Sequence, residues 1–306
     1  NEISSEEKPV FHITPPIGWM NDPNGFSTFN NEYHLFYQYH PYDVVWGPMY
    51  WGHSKTNDFI KWEQLPIALA PEASYDMGGC FSGSALEYDG KHVIMYTGVL
   101  DNKDENGERV VRQTQCIAIG DGENYEKLEC NPVITHEMLP EGSSLEDFRD
   151  PKIWREGEEF YCVVASRSND GSGQILMYKS NNLKEWEFVT IVDNSKNKVG
   201  RMWECPDLFS LNGKGVLIIS PQEVKATKDG FHNGSNTAYL IEKYDNEKKS
   251  FERESCNVID FGLDFYAPQT LESIDGRRIM FGWMHSWENR IVPGNFKWCG
   301  MMTMPR

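Results

Sequence analysis

No apolar stretch among the 306 residues approaches the ~20 that a membrane-spanning helix requires. Positive charge is scarce: 29 Lys and Arg stand against 46 Asp and Glu, a formal net charge of −17. No basic run is interleaved with aromatics, so nucleic acid is not an expected partner, and an anionic membrane surface would repel the chain. A neutral ligand such as a sugar suits this charge. Paired cysteines are missing too. Cys80, Cys116, Cys130, Cys162, Cys205, Cys256 and Cys299 are scattered, odd in number and without a CxxC. That argues against a disulfide framework or a zinc site, and for free thiols in a reducing, cytoplasmic compartment.

Metal and phosphate signatures are also absent. The eight histidines include no HExxH or paired-ligand spacing, so no metal is expected. There is no P-loop and no GxGxxG, and the GCFSGS of residues 79–84 matches neither. A GxSxG nucleophile elbow there would need a following helix, for which there is no pattern. No cofactor is expected. The start, NEISSEEKPVFH, has neither an initiator Met nor the apolar core of a secretory signal, and residues 1–10 read as an N-terminal extension.

Sustained helical periodicity is lacking, and in its place stand short apolar or alternating runs bounded by Gly, Asn, Asp and Pro. Five segments share one pattern: DPNGFSTFNNEYHLFYQYHP, FSGSALEYDGKHVIMYTG, RDPKIWREGEEFYCVVASR, ECPDLFSLNGKGVLIISP and YAPQTLESIDGRRIMFGWM. Each opens on a small or Pro-containing corner, then runs strand, polar turn, strand, which is a hairpin signal. The corners fall at Pro23, Ser82, Pro151, Pro206 and Pro268, roughly sixty residues apart. A second element recurs in YWGHSKTNDFIKWEQL and LMYKSNNLKEWEFV, which places Ser, a polar turn and Trp-Glu before another strand. Each repeat thus has room for about four strands, one propeller blade. Continuous apolar runs such as FYCVVA and VLIIS suit strands covered on both faces, as in a blade between two neighbours. The expected fold is all-β, a five-bladed β-propeller over residues 1–306. A β-sandwich with hairpins of similar length is the alternative.

Acids occupy three of the corners. Asp22 precedes Pro23, Asp150 precedes Pro151, and Glu204 lies two residues before Pro206. Taken singly, NDPNG is a turn, RDP an Arg–Asp pair on a loop and WECP an ordinary loop. Equivalent blade edges face one axis, however, so acids from separate blades converge there. Proline is expected to hold the residue before it extended. Each acid is near an aromatic (Trp19, Phe148, Trp203), and rings beside carboxylates are what a sugar site requires.

WMNDPNG, FSGS, RDP, WECPDLF and FYAPQ, in this order, resemble glycoside hydrolase family 32, from about Phe11 to Arg306. That family includes invertases, sucrose-6-phosphate hydrolases and fructan-cleaving enzymes. The resemblance implies a five-bladed propeller followed by a C-terminal β-sandwich, and the sandwich is expected to be missing because the chain stops after GMMTMPR. It implies Asp22 as nucleophile, Glu204 as general acid/base, and Asp150 as the residue that binds fructosyl hydroxyls and steadies the transition state. Asn21, Gln38, Trp46, Phe81, Ser82, Arg149, Tyr266 and Trp283 are implied to line the fructosyl subsite.

The implied function is retaining hydrolysis of terminal β-D-fructofuranosyl residues from sucrose, sucrose 6-phosphate or short fructo-oligosaccharides. Inulin or levan hydrolysis, transfructosylation, a pentosidase and a non-catalytic sugar-binding propeller remain as alternatives. Lys225, Lys228, Arg277, Arg278, Arg290 and Lys297 are candidates for a substrate phosphate, or solvated charges. Crowding by Asp22 and Asp150 is expected to favour a protonated Glu204, and backbone N–H groups of the turn to keep Asp22 ionised.

Overall fold

The computed structural model of the protein describes residues 8–103, 105–228, 230–245, 250–289 and 296–306. All its extended elements are β-strands, in five antiparallel groups taken in chain order. The first sheet holds β1 (Gly18–Phe29), β2 (Glu32–His40), β3 (Tyr50–Thr56) and β4 (Glu63–Leu69). The second holds β5 (Gly79–Tyr88), β6 (Lys91–Lys103), β7 (Arg109–Gly120) and β8 (Tyr125–Lys127). The third holds β9 (Ser143–Glu156), β10 (Glu159–Ser168), β11 (Gly173–Ser180) and β12 (Glu187–Asn194). The fourth holds β13 (Met202–Leu211), β14 (Lys214–Gln222), β15 (Ala238–Asp245) and β16 (Ser250–Val258). A two-stranded sheet follows, β17 (Tyr266–Glu272) with β18 (Arg278–Trp283).

The innermost strands β1, β5, β9, β13 and β17 each touch the next, and β17 touches β1, which closes a ring. The arrangement is propeller-like. The expectation of five blades of about four strands is corrected: four sheets have them, and the last has two among the described residues. After β18 the last residues, 301–306, return antiparallel along that strand, with Met284 N–H donating to Met301 O (2.9 Å), Thr303 N–H to Gly282 O (2.9 Å) and a reciprocal Met280–Arg306 pair (3.0 and 3.1 Å). Just before them lies β19 (Trp298–Cys299), which runs parallel to β1 and pairs Gly18 with Trp298, so the first and last sheets are joined.

Turn chemistry explains the hairpins. Asn30-Asn31, Asp89-Gly90 and Asn212-Gly213 all have positive φ at both positions, as a two-residue turn matching strand twist requires. The recurrent Trp-Glu element is likewise a repeated turn. Thr56 Oγ1 caps Phe59 N–H and Ser180 Oγ caps Leu183 N–H, while Trp62 and Trp186 each donate to the carbonyl three residues back. Apolar clusters fill the spaces between neighbouring sheets, for example Ile153, Phe160 and Tyr178 with Met95 and Ile117.

Buried polar pins fix the inner strands around the axis. Lys152 Nζ donates to Asp207 Oδ2 (3.1 Å) and to the Thr270 carbonyl (2.9 Å), joining the third, fourth and fifth sheets. Gln269 donates to Gly83 O (2.7 Å) and accepts from Phe26 N–H (3.2 Å), joining the fifth to the second and first.

Candidate active site

Every inner strand breaks its pairing register at the corner read from the sequence. The irregularities lie between Met20 and Pro23, Phe81 and Gly83, Arg149 and Lys152, Glu204 and Asp207, and Tyr266 and Gln269. A bulge bends the strand and re-aims a side chain, and here it turns the corner residues toward the axis. The expected extended conformation before proline is corrected at Asp150, which has φ 65°, and Cys205 before Pro206 has φ 48°. A left-handed residue is what the bulge needs, and its strain is held by the buried surroundings.

Those bulges bring the three acids into one pocket of about 240 Å³ at the starts of the inner strands. Asp22 (β1), Asp150 (β9) and Glu204 (β13) line it, with Asn21, Gln38, Trp46, Phe81, Ser82 and Arg149. Of the eight implied subsite residues, two stand elsewhere. Tyr266 is fully buried behind Glu204, with its hydroxyl 2.6 Å from Glu204 Oε2. Trp283 is also fully buried, packed against Trp19 (5.7 Å between centroids) and Trp287 (5.0 Å). Beside Trp46, the indole on the pocket wall is that of Trp287, not Trp283.

Asp22 is held by side chains from three strands. Ser82 Oγ donates to Oδ2 (2.8 Å), Asn21 Nδ2 to Oδ1 (3.1 Å), and Cys205 Sγ approaches Oδ2 at 3.5 Å. The donors are thus side chains and not the expected backbone N–H groups of the turn. Burial, and then the charge of Glu204, push the Asp22 carboxyl up to about 6, while these three donors pull it back. It remains mostly ionised at neutral pH. Asp150 is raised too, first by burial and then by Glu204, with Arg149 opposing. Its Oδ2 accepts from Cys205 N–H (3.0 Å), and its own N–H donates to Thr97 Oγ1 (2.9 Å).

Glu204 sits in a cage of donors. Arg149 Nε and Nη2 reach its Oε1 (3.0 and 2.9 Å), and Gln222 Nε2 and the Tyr266 hydroxyl reach its Oε2 (2.8 and 2.6 Å). Arg149 is itself steadied by Asp147 Oδ1 (3.0 Å) and Gln113 Oε1 (3.3 Å). Burial alone would weaken its charge, but Glu204, Asp150 and Asp147 more than offset that and keep it cationic.

Gln113, Gln222, Trp287, Asp147 and Cys205 were not singled out from the sequence. A signal existed for Gln222: it ends the second strand of its sheet, as Gln38 nearly does in the first. Asp147 stands two residues before Arg149, so in a strand it shares that residue's face.

The phosphate candidates divide by position. Arg277 lies in the β17–β18 turn and Arg278 opens β18, at the end of those strands away from Tyr266 and Trp283, and they pair with Asp275 and Glu272. They are remote from the pocket. Lys225 and Lys228 follow the end of β14 and Lys297 precedes β19; all three are exposed and none of them lines the pocket. Arg290 lies outside the described residues. Among the described residues no three His, Cys, Asp or Glu side chains are placed so that they could hold a metal ion. No helix there is long and apolar enough to cross a membrane.

A family model for the N-terminal domain of glycosyl hydrolases family 32 matches residues 12–306. The chain belongs to this family. Among its family 32 relatives, a sucrose-6-phosphate hydrolase of Zymomonas mobilis is 43% identical over 99% of this chain and 60% of its own. A raffinose invertase of Escherichia coli is 38% identical over 97% of this chain and 61% of its own. The solved structure of a Bombyx mori family 32 beta-fructofuranosidase in complex with sucrose superposes with a TM-score of 0.90 at 41% identity. It covers 99% of this chain and 63% of that one. The chain thus spans about 60% of the length of the curated relatives it matches.

Proposed function

We propose that the chain carries the catalytic site of a retaining β-fructofuranosidase. It removes terminal β-D-fructofuranosyl residues from sucrose, sucrose 6-phosphate or short fructo-oligosaccharides. The observation that carries this is the meeting of Asp22, Asp150 and Glu204, from three different sheets, in one aromatic-walled pocket. The ionised Asp22 attacks the anomeric carbon while Glu204 gives its proton to the leaving oxygen, which produces a fructosyl-enzyme and the free aglycone. Glu204 then takes a proton from water, whose oxygen displaces Asp22 from the sugar. Asp150 binds fructosyl hydroxyls, and the face of Trp46 or Trp287 covers the ring. The β17–β18 sheet counts as the fifth blade in this reading, supported by β17 filling the inner-strand place between β13 and β1.

The test is a reducing-sugar assay on sucrose, sucrose 6-phosphate, kestose, inulin, levan and an aryl arabinofuranoside, with a heat-inactivated control. Turnover of the small fructosides above the polymers is expected. Preference for inulin or levan would make it a fructan hydrolase, and kestose formation from sucrose a transfructosylase. Binding of sucrose without turnover of anything would overturn the enzymatic reading.

A further inference from the structure

Building on the assignment of Glu204 as acid and base, we infer that Gln222 is a fixed hydrogen-bond partner of its carboxyl and Tyr266 a reversing one. Together they hold the carboxyl in place in both of its protonation states, and the Ser220 carbonyl accepts the tyrosine's hydrogen bond when the partner reverses.

The ionised carboxyl accepts four donors. Arg149 supplies two to Oε1, and Gln222 and Tyr266 supply one each to Oε2. A guanidinium has no acceptor, and an amide N–H cannot accept either. A proton placed on Oε1 would point at the N–H groups of Arg149, so the proton belongs on Oε2. There Gln222 can stay as it is, because a protonated oxygen still accepts one bond. Tyr266 cannot. Its oxygen must accept, and its own hydrogen then needs another acceptor. The Ser220 carbonyl lies 3.0 Å from the Tyr266 hydroxyl, in the right place. Tyr266 is fully buried, so without that carbonyl the hydroxyl would lose its partner at a cost of about 1–3 kcal/mol.

One strand supplies both functions. Ser220 and Gln222 are two residues apart on β14 and share a face. Ser220 Oγ also accepts from Ala267 N–H (3.1 Å), which ties β14 to the residue after Tyr266. During turnover the Oε2 O–H turns from Tyr266 toward the leaving oxygen and gives up its proton there, and Tyr266 swings its hydrogen from Ser220 to the carboxylate. In the second step Glu204 regains a proton from water and Tyr266 swings back. Tyr266 keeps its own proton throughout, so one proton leaves and one returns per cycle. The titratable groups facing Glu204 are Arg149 and Asp150 on β9, Asp22 on β1, Cys205 on β13 and Tyr266 on β17. Gln222 does not titrate, so a change at Gln222 that moves a pH profile acts through its partner.

The experiment compares Gln222→Met, Gln222→Glu and Tyr266→Phe with the parent chain on sucrose and on β-fructosyl fluoride, as kcat, KM and pH profiles. Fluoride departs without a proton, so it isolates the acid step. Gln222→Met is expected to lose roughly 10–100-fold in kcat on sucrose, within the range of general acid help. Its KM and its fructosylation from the fluoride should stay within about 3-fold. The alkaline limb of its kcat/KM profile on sucrose should move to higher pH, because the lost donor favoured the ionised carboxyl. Gln222→Glu, equal in size and polar, should move that limb the same way by like-charge repulsion. Tyr266→Phe should slow both sucrose cleavage and release of the fructosyl-enzyme. Equal losses on both substrates, a raised KM alone, or an unmoved limb in both Gln222 variants would overturn the inference. A parent chain inert on both substrates would instead overturn the fructosidase reading on which it rests.

Discussion

Cys205 Sγ lies 3.5 Å from Asp22 Oδ2 and bridges from the fourth sheet to the first, while its other neighbour is Asp150 Oδ2 at 3.6 Å. Burial and the surrounding carboxylates push the Cys205 thiol far above its usual range, so it keeps its hydrogen and acts as a donor. Removing that donor leaves Asp22 less able to ionise. In Cys205→Ala the acidic limb of the activity profile is therefore expected to move to higher pH, with a fall in kcat at pH 6 that recovers toward pH 8. A rate–pH series on both forms checks this, and an unmoved limb would show that the thiol only fills space.

The buried Asp22 carboxyl also carries a cost in stability. Its carboxyl is raised to about 6 in the fold against 3.8 as an ordinary Asp. The folded chain then holds the proton more tightly, so stability falls as pH rises from about 4 through 6. Asp22→Asn removes that penalty. The variant is expected to be inactive yet more stable at pH 7.5, by up to about 3 kcal/mol. The gain should vanish below pH 4. Melting curves of both proteins at pH 4 and pH 7.5 measure it.

The opposite sign applies to a histidine cluster between the first two sheets. His34 Nδ1 and His53 Nε2 share a hydrogen bond of 2.9 Å, and His92 bonds Ser27 Oγ (2.9 Å) and Tyr125 (2.8 Å). Burial lowers His34 to about 4 and holds His53 and His92 well below the usual range. Their neutral forms stabilise the fold fully above the unfolded value near 6.5, and that contribution is lost as pH falls toward 4. His53 stacks on Phe36 at 3.9 Å, so phenylalanine fits its place. His53→Phe is expected to flatten the decline in Tm between pH 6.5 and 4, measured by scanning calorimetry across that range.

Much of the fold was legible because hairpin turns and corner prolines are local signals. Asn30-Asn31 and Asn212-Gly213 announce their turns by residue type, and the five corners announce five inner strands. The strand count of the last sheet was not legible. There the chain after β18 first pairs Trp298 with Gly18, far away in sequence, and only then returns along β18 at Met302, and no local pattern encodes that path. For the site, the equivalence of the corners placed Asp22, Asp150 and Glu204 together. What holds each carboxyl was hidden, because Ser82 and Cys205 reach Asp22 from other sheets. Trp283 and Trp287 are both indoles near the last motif, and only the path of the chain after β18 decides which one faces the pocket.

The central claim is the division of labour between Asp22 and Glu204, and pre-steady-state release of fluoride from β-fructosyl fluoride tests it most directly. Glu204→Ala is expected to show a rapid burst followed by slow turnover, because fluoride leaves without an acid while the fructosyl-enzyme waits for a base. Added azide should speed the slow phase by attacking the intermediate directly. Asp22→Ala is expected to show no burst at all, since no fructosyl-enzyme can form. A burst in Asp22→Ala and none in Glu204→Ala would reverse the two roles, and bursts of parental size and turnover in both would place the chemistry outside this pocket.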